Sequence, residues 1–263
     1  MNVCLVAQTL SYIQGGGHFW VYLNWVLGLR ANGVEVGWVE TVDPKLCAPG
    51  SEDDLAARVA HLRAFLKPHG LDGAILLLPL EGATLPAPLA PLELTADRAA
   101  AADLLLNFRY GLPAAVLGLF RRTALIDIDP GLLQVWVAGG QIHLPHHDVY
   151  FTTGENLGAP GGIVPDLGLE WNPIHPCVAL DLWDPAPPPV ADAPFTTVSH
   201  WQAHEYVIEP SGYWYDNSKR AGFLPYFGLP RLCSRPLELA LCLSDTDPGD
   251  LADREALLAN GWR

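Results

Sequence analysis

The chain opens on an unbroken apolar run, Val3-Cys4-Leu5-Val6-Ala7. Alternation of apolar and polar residues marks a strand with one buried face; a short continuous run predicts a strand buried on both, as in a parallel sheet sandwiched by helices. After the polar, glycine-rich stretch 9–17, apolar residues return with a helical period. Phe19, Trp20, Leu23, Val26 and Leu27 form one stripe, and Val21, Trp25 and Leu29 extend it almost all the way round. A helix over 18–31 follows, and it is expected to be buried. Asn32-Gly33 supplies its stop and 34–39 reads as a second strand, so the first forty residues make one βαβ unit.

The alternation continues down the chain. Ser51 caps a helix over 51–67, with Asp53 and Asp54 in its first turn and Gly70 beyond its end. Strand 74–80, a proline-rich loop to Pro91 and helix 96–102 come next. Strand 104–108, helix 113–121, strand 123–129 closed by Pro130-Gly131, short helix 132–137 and strand 148–152 complete the series. Strands and helices in strict alternation predict an α/β fold with a doubly wound, mostly parallel sheet. From Pro160 the texture changes to glycine and proline, and prolines crowd 185–189. The expected organisation is a first domain over 1–184, a proline-rich linker over 185–194 and a partial second α/β unit over 195–263. In that last stretch the reading is a strand at 195–198 and helices at 217–223, 237–241 and 251–259.

Composition narrows the picture. Half the residues are apolar and 17% are charged, the balance of a globular protein. The formal charge of −14, from 29 acids against 15 bases, with no basic cluster longer than a short pair such as Arg121-Arg122, argues against a nucleic-acid partner. No apolar run reaches the roughly 18 residues of an integral membrane segment. Five scattered cysteines without a CxxC, and an N-terminus without the features of a secretion signal, lead to the expectation of reduced thiols in a cytoplasmic protein.

Ligands of an open parallel sheet bind beyond the carboxyl ends of its strands. Four such ends carry chemistry here. Gly15, Gly16 and Gly17 open the first helix, where bare backbone and free N–H groups suit a phosphate or an anionic sugar, or simply make a tight turn. His18 follows, placed to act as a base or to bond a carbonyl. Asp127 and Asp129 end another strand, and one of them is a candidate to orient His18. Asn107 ends a third; Thr153, Glu155 and Asn156 end a fourth, where they suit sugar hydroxyls, acid–base work or a loop cap. Asp127-Ile128-Asp129 spells DxD and His143, His146 and His147 cluster, but neither comes with a full ligand pattern, so no metal is expected. The aromatics from Trp201 to Tyr215 are read as core before sugar platform.

Gly15-Gly16-Gly17-His18-Phe19-Trp20, Asp127-Ile128-Asp129-Pro130-Gly131 and Phe151-Thr152-Thr153-Gly154-Glu155-Asn156 together resemble the amino-terminal half of bacterial GT-B-type glycosyltransferases, including poorly characterised ones. The resemblance runs in order over most of the chain. It implies a Rossmann-like acceptor-side domain and the start of a donor-side one, moving a sugar (hexosyltransferase type) from a nucleotide-sugar, a co-substrate rather than a cofactor, to an unknown acceptor. It implies His18 as base, Asp127 or Asp129 as its partner, Glu155 as a further acid or base, and Gly15, Gly16, Gly17, Asn107, Thr153 and Asn156 as substrate contacts. The chain reaches Gly261-Trp262-Arg263 before the glycine-rich loop and acid that grip the donor in this family. A partner chain or oligomer completing the second domain is therefore expected. Two alternatives stand beside it: a non-catalytic glycan- or nucleotide-binding module, and an NAD(P)-dependent oxidoreductase with Glu40, at the end of the second strand, on the ribose.

Overall fold

The structure, a computed structural model, describes residues 1–13, 16–48, 50–203, 206–208 and 212–263. They form two compact units, Met1–Trp183 and Asp184–Arg263.

The first unit runs β1 (Asn2–Ala7), α1 (Gly16–Ala31), β2 (Glu35–Val42), α2 (Glu52–Leu66), β3 (Ile75–Pro79), α3 (Ala96–Ala101), β4 (Leu104–Asn107), α4 (Ala114–Leu117), β5 (Thr123–Asp127), α5 (Leu132–Ala138), β6 (Val149–Thr152) and β7 (Trp171–Pro173). Its seven strands make one parallel sheet in the order β3-β2-β1-β4-β5-β6-β7. The chain winds outward from β1 to β3, returns to β4 beside β1, and winds outward the other way. The fold is a doubly wound, Rossmann-like α/β fold with its switch point between β1 and β4.

The continuous apolar run of β1 is explained by what covers its two faces. Val3, Leu5 and Ala7 pack with Tyr22, Leu23 and Val26 of α1 and with Leu55, Val59, Leu62 and Leu66 of α2. Cys4 and Val6 point the other way, among Ala99, Leu112, Leu117 and Phe120. The α2 residues recur at intervals of three and four, so a single stripe is buried. Each such side chain contributes about 1.5–3 kcal/mol of burial. Gly33 ends α1 at φ +74° and Gly70 closes the turn after α2 at φ +64°, in the left-handed region that favours glycine. Ser51 precedes α2 as expected, but its hydroxyl makes no capping bond. β7 was not anticipated; its three residues, Trp-Asn-Pro, carry no apolar period to find.

The second unit holds β8 (Phe195–Ser199), β9 (Tyr206–Ile208), β10 (Trp214–Asp216), α6 (Arg220–Phe223), β11 (Leu237–Leu241) and α7 (Pro248–Ala259). The expected helix at 237–241 is instead the strand β11, paired in parallel with β8. Its sequence, Leu-Glu-Leu-Ala-Leu, has period two: Leu237, Leu239 and Leu241 join Trp201, Leu257 and Trp262 in a small core while Glu238 and Ala240 do not. The expected helix at 217–223 shortens to the single turn of α6. Trp201 is core, 1% exposed, and its indole N–H donates to Asp253, which also takes a two-pronged bond from Arg220 at 2.5 and 2.9 Å. Tyr213 and Trp214 are exposed, whereas the side chains of Tyr206 and Tyr215 lie outside the described residues. Among the described residues no helix is long and apolar enough to cross a membrane.

Candidate functional site

Gly15 lies outside the described residues; Gly16 and Gly17 are the first two residues of α1, both exposed. A Cβ built on either meets no atom within 4 Å, and neither has a positive φ. Neither packing nor backbone strain demands glycine at these positions, so they leave open floor in front of the N–H groups of the first helical turn.

His18 sits in that turn, half-buried. Its Nε2 lies 2.8 Å from the Gln8 carbonyl and 3.2 Å from the Tyr22 hydroxyl, and Tyr22 meets the ring edge-on with centroids 4.9 Å apart. A carbonyl only accepts, so Nε2 carries the proton and, in the neutral ring, the lone pair is on Nδ1. The loop after β1 thus fixes the imidazole's tautomer through a backbone group.

The partnership expected between His18 and Asp127 is not among the hydrogen bonds of either side chain. Asp127 is fully buried, and its carboxylate already accepts four hydrogen bonds. Oδ1 takes the Tyr110 hydroxyl at 3.1 Å and the Asp129 N–H at 3.0 Å; Oδ2 takes the Gln134 amide at 2.8 Å and the Thr152 hydroxyl at 2.9 Å. Gln134 in turn accepts the Gly131 N–H at 2.6 Å. Asp127 therefore ties β5, β6 and the start of α5 together. Asp129 is exposed. Strand β5 ends at Asp127, so the two acids are not alternate residues of one strand, and one is inside a turn while the other is on its surface. Among the described residues no three His, Cys, Asp or Glu side chains are grouped as a metal site would require.

Asn107 is likewise interior. Its Oδ1 accepts the Arg109 N–H at 2.9 Å and its Nδ2 donates to His147 Nε2 at 3.0 Å, while His147 Nδ1 donates to the Pro145 carbonyl at 2.8 Å. Both side chains are buried and face each other, not a ligand. Burial holds the His147 imidazole below its ordinary pKa, as the geometry of a neutral Nδ1–H ring requires.

Glu40 is inside as well, 1% exposed. It accepts from the backbone N–H groups of Thr9 and Leu10 at 2.9 and 3.1 Å, from the Trp38 indole at 2.8 Å, and from the Thr9 hydroxyl. It pins the loop after β1 to β2 and is spent before any ribose arrives. Burial raises its pKa, and the four donors pull the other way. One cation escaped the sequence reading: Arg109, after β4, reaches the Thr41 hydroxyl and lies 3.6 Å from Asp43, so it bridges the ends of β4 and β2 beside the switch point. A lone arginine after a strand carries no sequence signal.

The loop after β6 is built by close approach. Gly154 lies so near Pro130 that an added Cβ would come within 2.7 Å of the proline Cβ. Beyond it an open cleft of about 510 Å³ is lined by Pro130, Gly131, Glu155, Asn156 and the chain 159–164. Glu155 and Asn156 are exposed, and Glu155 is 3.7 Å from His175. A second cavity, of about 360 Å³, brings Gly17, Ile128 and Thr153 together. The structure thus gathers the α1 start and the turns after β5 and β6 around one space. It leaves Glu155 and Asn156 in another and takes Asn107 and Asp127 into the interior.

No family model, no curated protein and no solved structure matches the chain.

Proposed function

We propose that the first unit is the acceptor side of an enzyme that transfers a sugar from a nucleotide-sugar to a hydroxyl acceptor. The observation that carries this reading is His18, a histidine whose Nε2–H is committed to the Gln8 carbonyl at the mouth of a Rossmann-like sheet, beside two glycines that leave open floor. In the step proposed, the acceptor O–H gives its proton to His18 Nδ1 and its oxygen bonds to the anomeric carbon. The bond from that carbon to phosphate breaks, and the nucleoside diphosphate departs with the electron pair. Backbone N–H groups of the α1 first turn suit the acceptor oxygen or a donor phosphate. Asp127 supports the site by holding the β5 and β6 turns, not by touching the imidazole.

A second reading, a non-catalytic glycan- or nucleotide-binding module, is favoured by one feature: Asp127, the buried acid that would orient a catalytic His18, spends its carboxylate on four other donors. Thermal shift of the full chain against UDP-, GDP- and TDP-sugars and NAD(P) tests binding. At least one nucleotide-sugar is expected to stabilise both the wild type and His18→Ala, because the histidine serves chemistry more than affinity. Stabilisation by NAD(P) alone would sink the sugar-transfer reading.

A further inference from the structure

The sequence made α1 apolar almost all round, more than one core face needs, and the structure gives the surplus a use. Gly17, Trp20, Val21, Asn24 and Trp25, at intervals of three and four, form one face of α1 that looks into the 360 Å³ cavity. Ile128 and Thr153, from the turns after β5 and β6, make the opposite wall. The returning chain at Cys177 makes the roof, and that roof is fastened. Asn24 Oδ1 accepts the Ala179 N–H at 2.8 Å, the Cys177 thiol donates to the Asn24 carbonyl at 3.3 Å, and Gly28 is bare where a Cβ would lie 2.9 Å from the Cys177 sulfur. The volume lies at the small end of sites that hold organic ligands.

The lining selects among ligands. The Asn24 amide is used at both ends, since its Nδ2 donates to the Trp20 carbonyl at 2.9 Å. Polar groups the lining offers a ligand are the Gly17 N–H, in the first turn of α1 one residue before His18, and the Thr153 hydroxyl. A sugar would bring several hydroxyls to two partners and leave the rest unpaired. A flat apolar ring loses nothing there and gains the indoles of Trp20 and Trp25.

We propose that this cavity takes the aromatic body of an aryl alcohol acceptor, with the reacting hydroxyl at the Gly17 and Thr153 end. The assignment rests on the sugar-transfer reading for what happens to that hydroxyl, but binding is measured without it. The probe is 1-naphthol, titrated calorimetrically into the full chain, with n-hexanol and methyl glucoside for comparison. 1-Naphthol is expected to saturate one site with a micromolar Kd and the other two to bind at least about tenfold more weakly. Val21→Trp, which fills the cavity, is expected to weaken 1-naphthol by about tenfold or more, and Thr153→Val, which keeps the volume, by about tenfold. Wild-type protein gives a second readout: 1-naphthol is expected to slow alkylation of Cys177 while leaving Cys233 and Cys242, exposed in the other unit, unchanged. Binding that is equal for hexanol or the glucoside, that survives Val21→Trp, or that leaves Cys177 unprotected overturns the assignment. Stabilisation by a nucleotide-sugar without 1-naphthol binding rejects the cavity and keeps sugar transfer; the converse keeps the cavity and rejects transfer.

Discussion

The side-chain amide of Asn107 donates to Nε2 of His147 at 3.0 Å, with both residues out of solvent. The pair joins the end of β4 to the chain just before β6, and it holds only while the imidazole is neutral, because a protonated Nε2 would point its hydrogen at the amide hydrogens.

Stability should therefore depend on this histidine in a defined window. Burial lowers the folded-state pKa of His147 below its ordinary value of 6.5. Between those two values the unfolded chain binds the extra proton, so the contribution is complete above pH 6.5 and is lost as pH falls below it. The slope for one such group is at most about 1.4 kcal/mol per pH unit. Urea titrations from pH 7.5 to 5 are expected to show the first unit losing stability below pH 6.5, and His147→Leu, less stable at every pH, to lose that slope. An unchanged slope in the variant contradicts the assignment.

Asp127→Asn keeps the shape and replaces one accepting oxygen with a donor. Whichever way the amide turns, two of its four donor neighbours face N–H instead of oxygen. The expected cost is about 2–4 kcal/mol, a fall of roughly 5–10 °C in the melting temperature of a unit this size. Because Asp127 acts through turns and not on the imidazole, any loss of activity should follow loss of folded protein. A variant that melts normally yet transfers no sugar would restore Asp127 as the partner of His18.

Gly154→Ala sets a methyl group against Pro130, where backbone and ring have little freedom to move. A cost of about 1–3 kcal/mol is expected, with the added strain felt in the turns that wall both cavities. Differential scanning calorimetry measures the cost. A melting temperature within error of wild type contradicts the close approach.

Much of this architecture was legible in the chain. The both-faces-buried run of β1, the glycine stops at Gly33 and Gly70, and the strict alternation to residue 152 specify a doubly wound sheet, because each is a local signal that packing reinforces. Leu237–Leu241 misled because five residues hold too few turns to separate period two from a helix once leucine, a good helix former, occupies three of them. The candidate site was legible by address and less so by role. The ends of β4 and β5 were read to within two residues, yet Asp127, Asn107 and Glu40 are polar residues of the interior, and whether a strand-end acid faces a ligand or the next turn depends on partners distant in sequence. Gln134, Thr152 and Tyr110 give no sign in the sequence that they surround Asp127. The excess apolar face of α1 was visible, but its meaning appeared only when Ile128, Thr153 and Cys177 closed over it.

The central claim concerns chemistry at His18, and sugar transfer measured by mass spectrometry tests it most directly. The full chain is incubated with UDP-, GDP- and TDP-sugars and a panel of alcohols that includes 1-naphthol, and glycoside and nucleoside diphosphate are both quantified. One donor is expected to give the two products in equal amounts, with His18→Asn slowing both by about 10²–10⁴-fold while the protein stays folded. No glycoside from any donor, or transfer that proceeds at an unchanged rate in His18→Asn, contradicts the account.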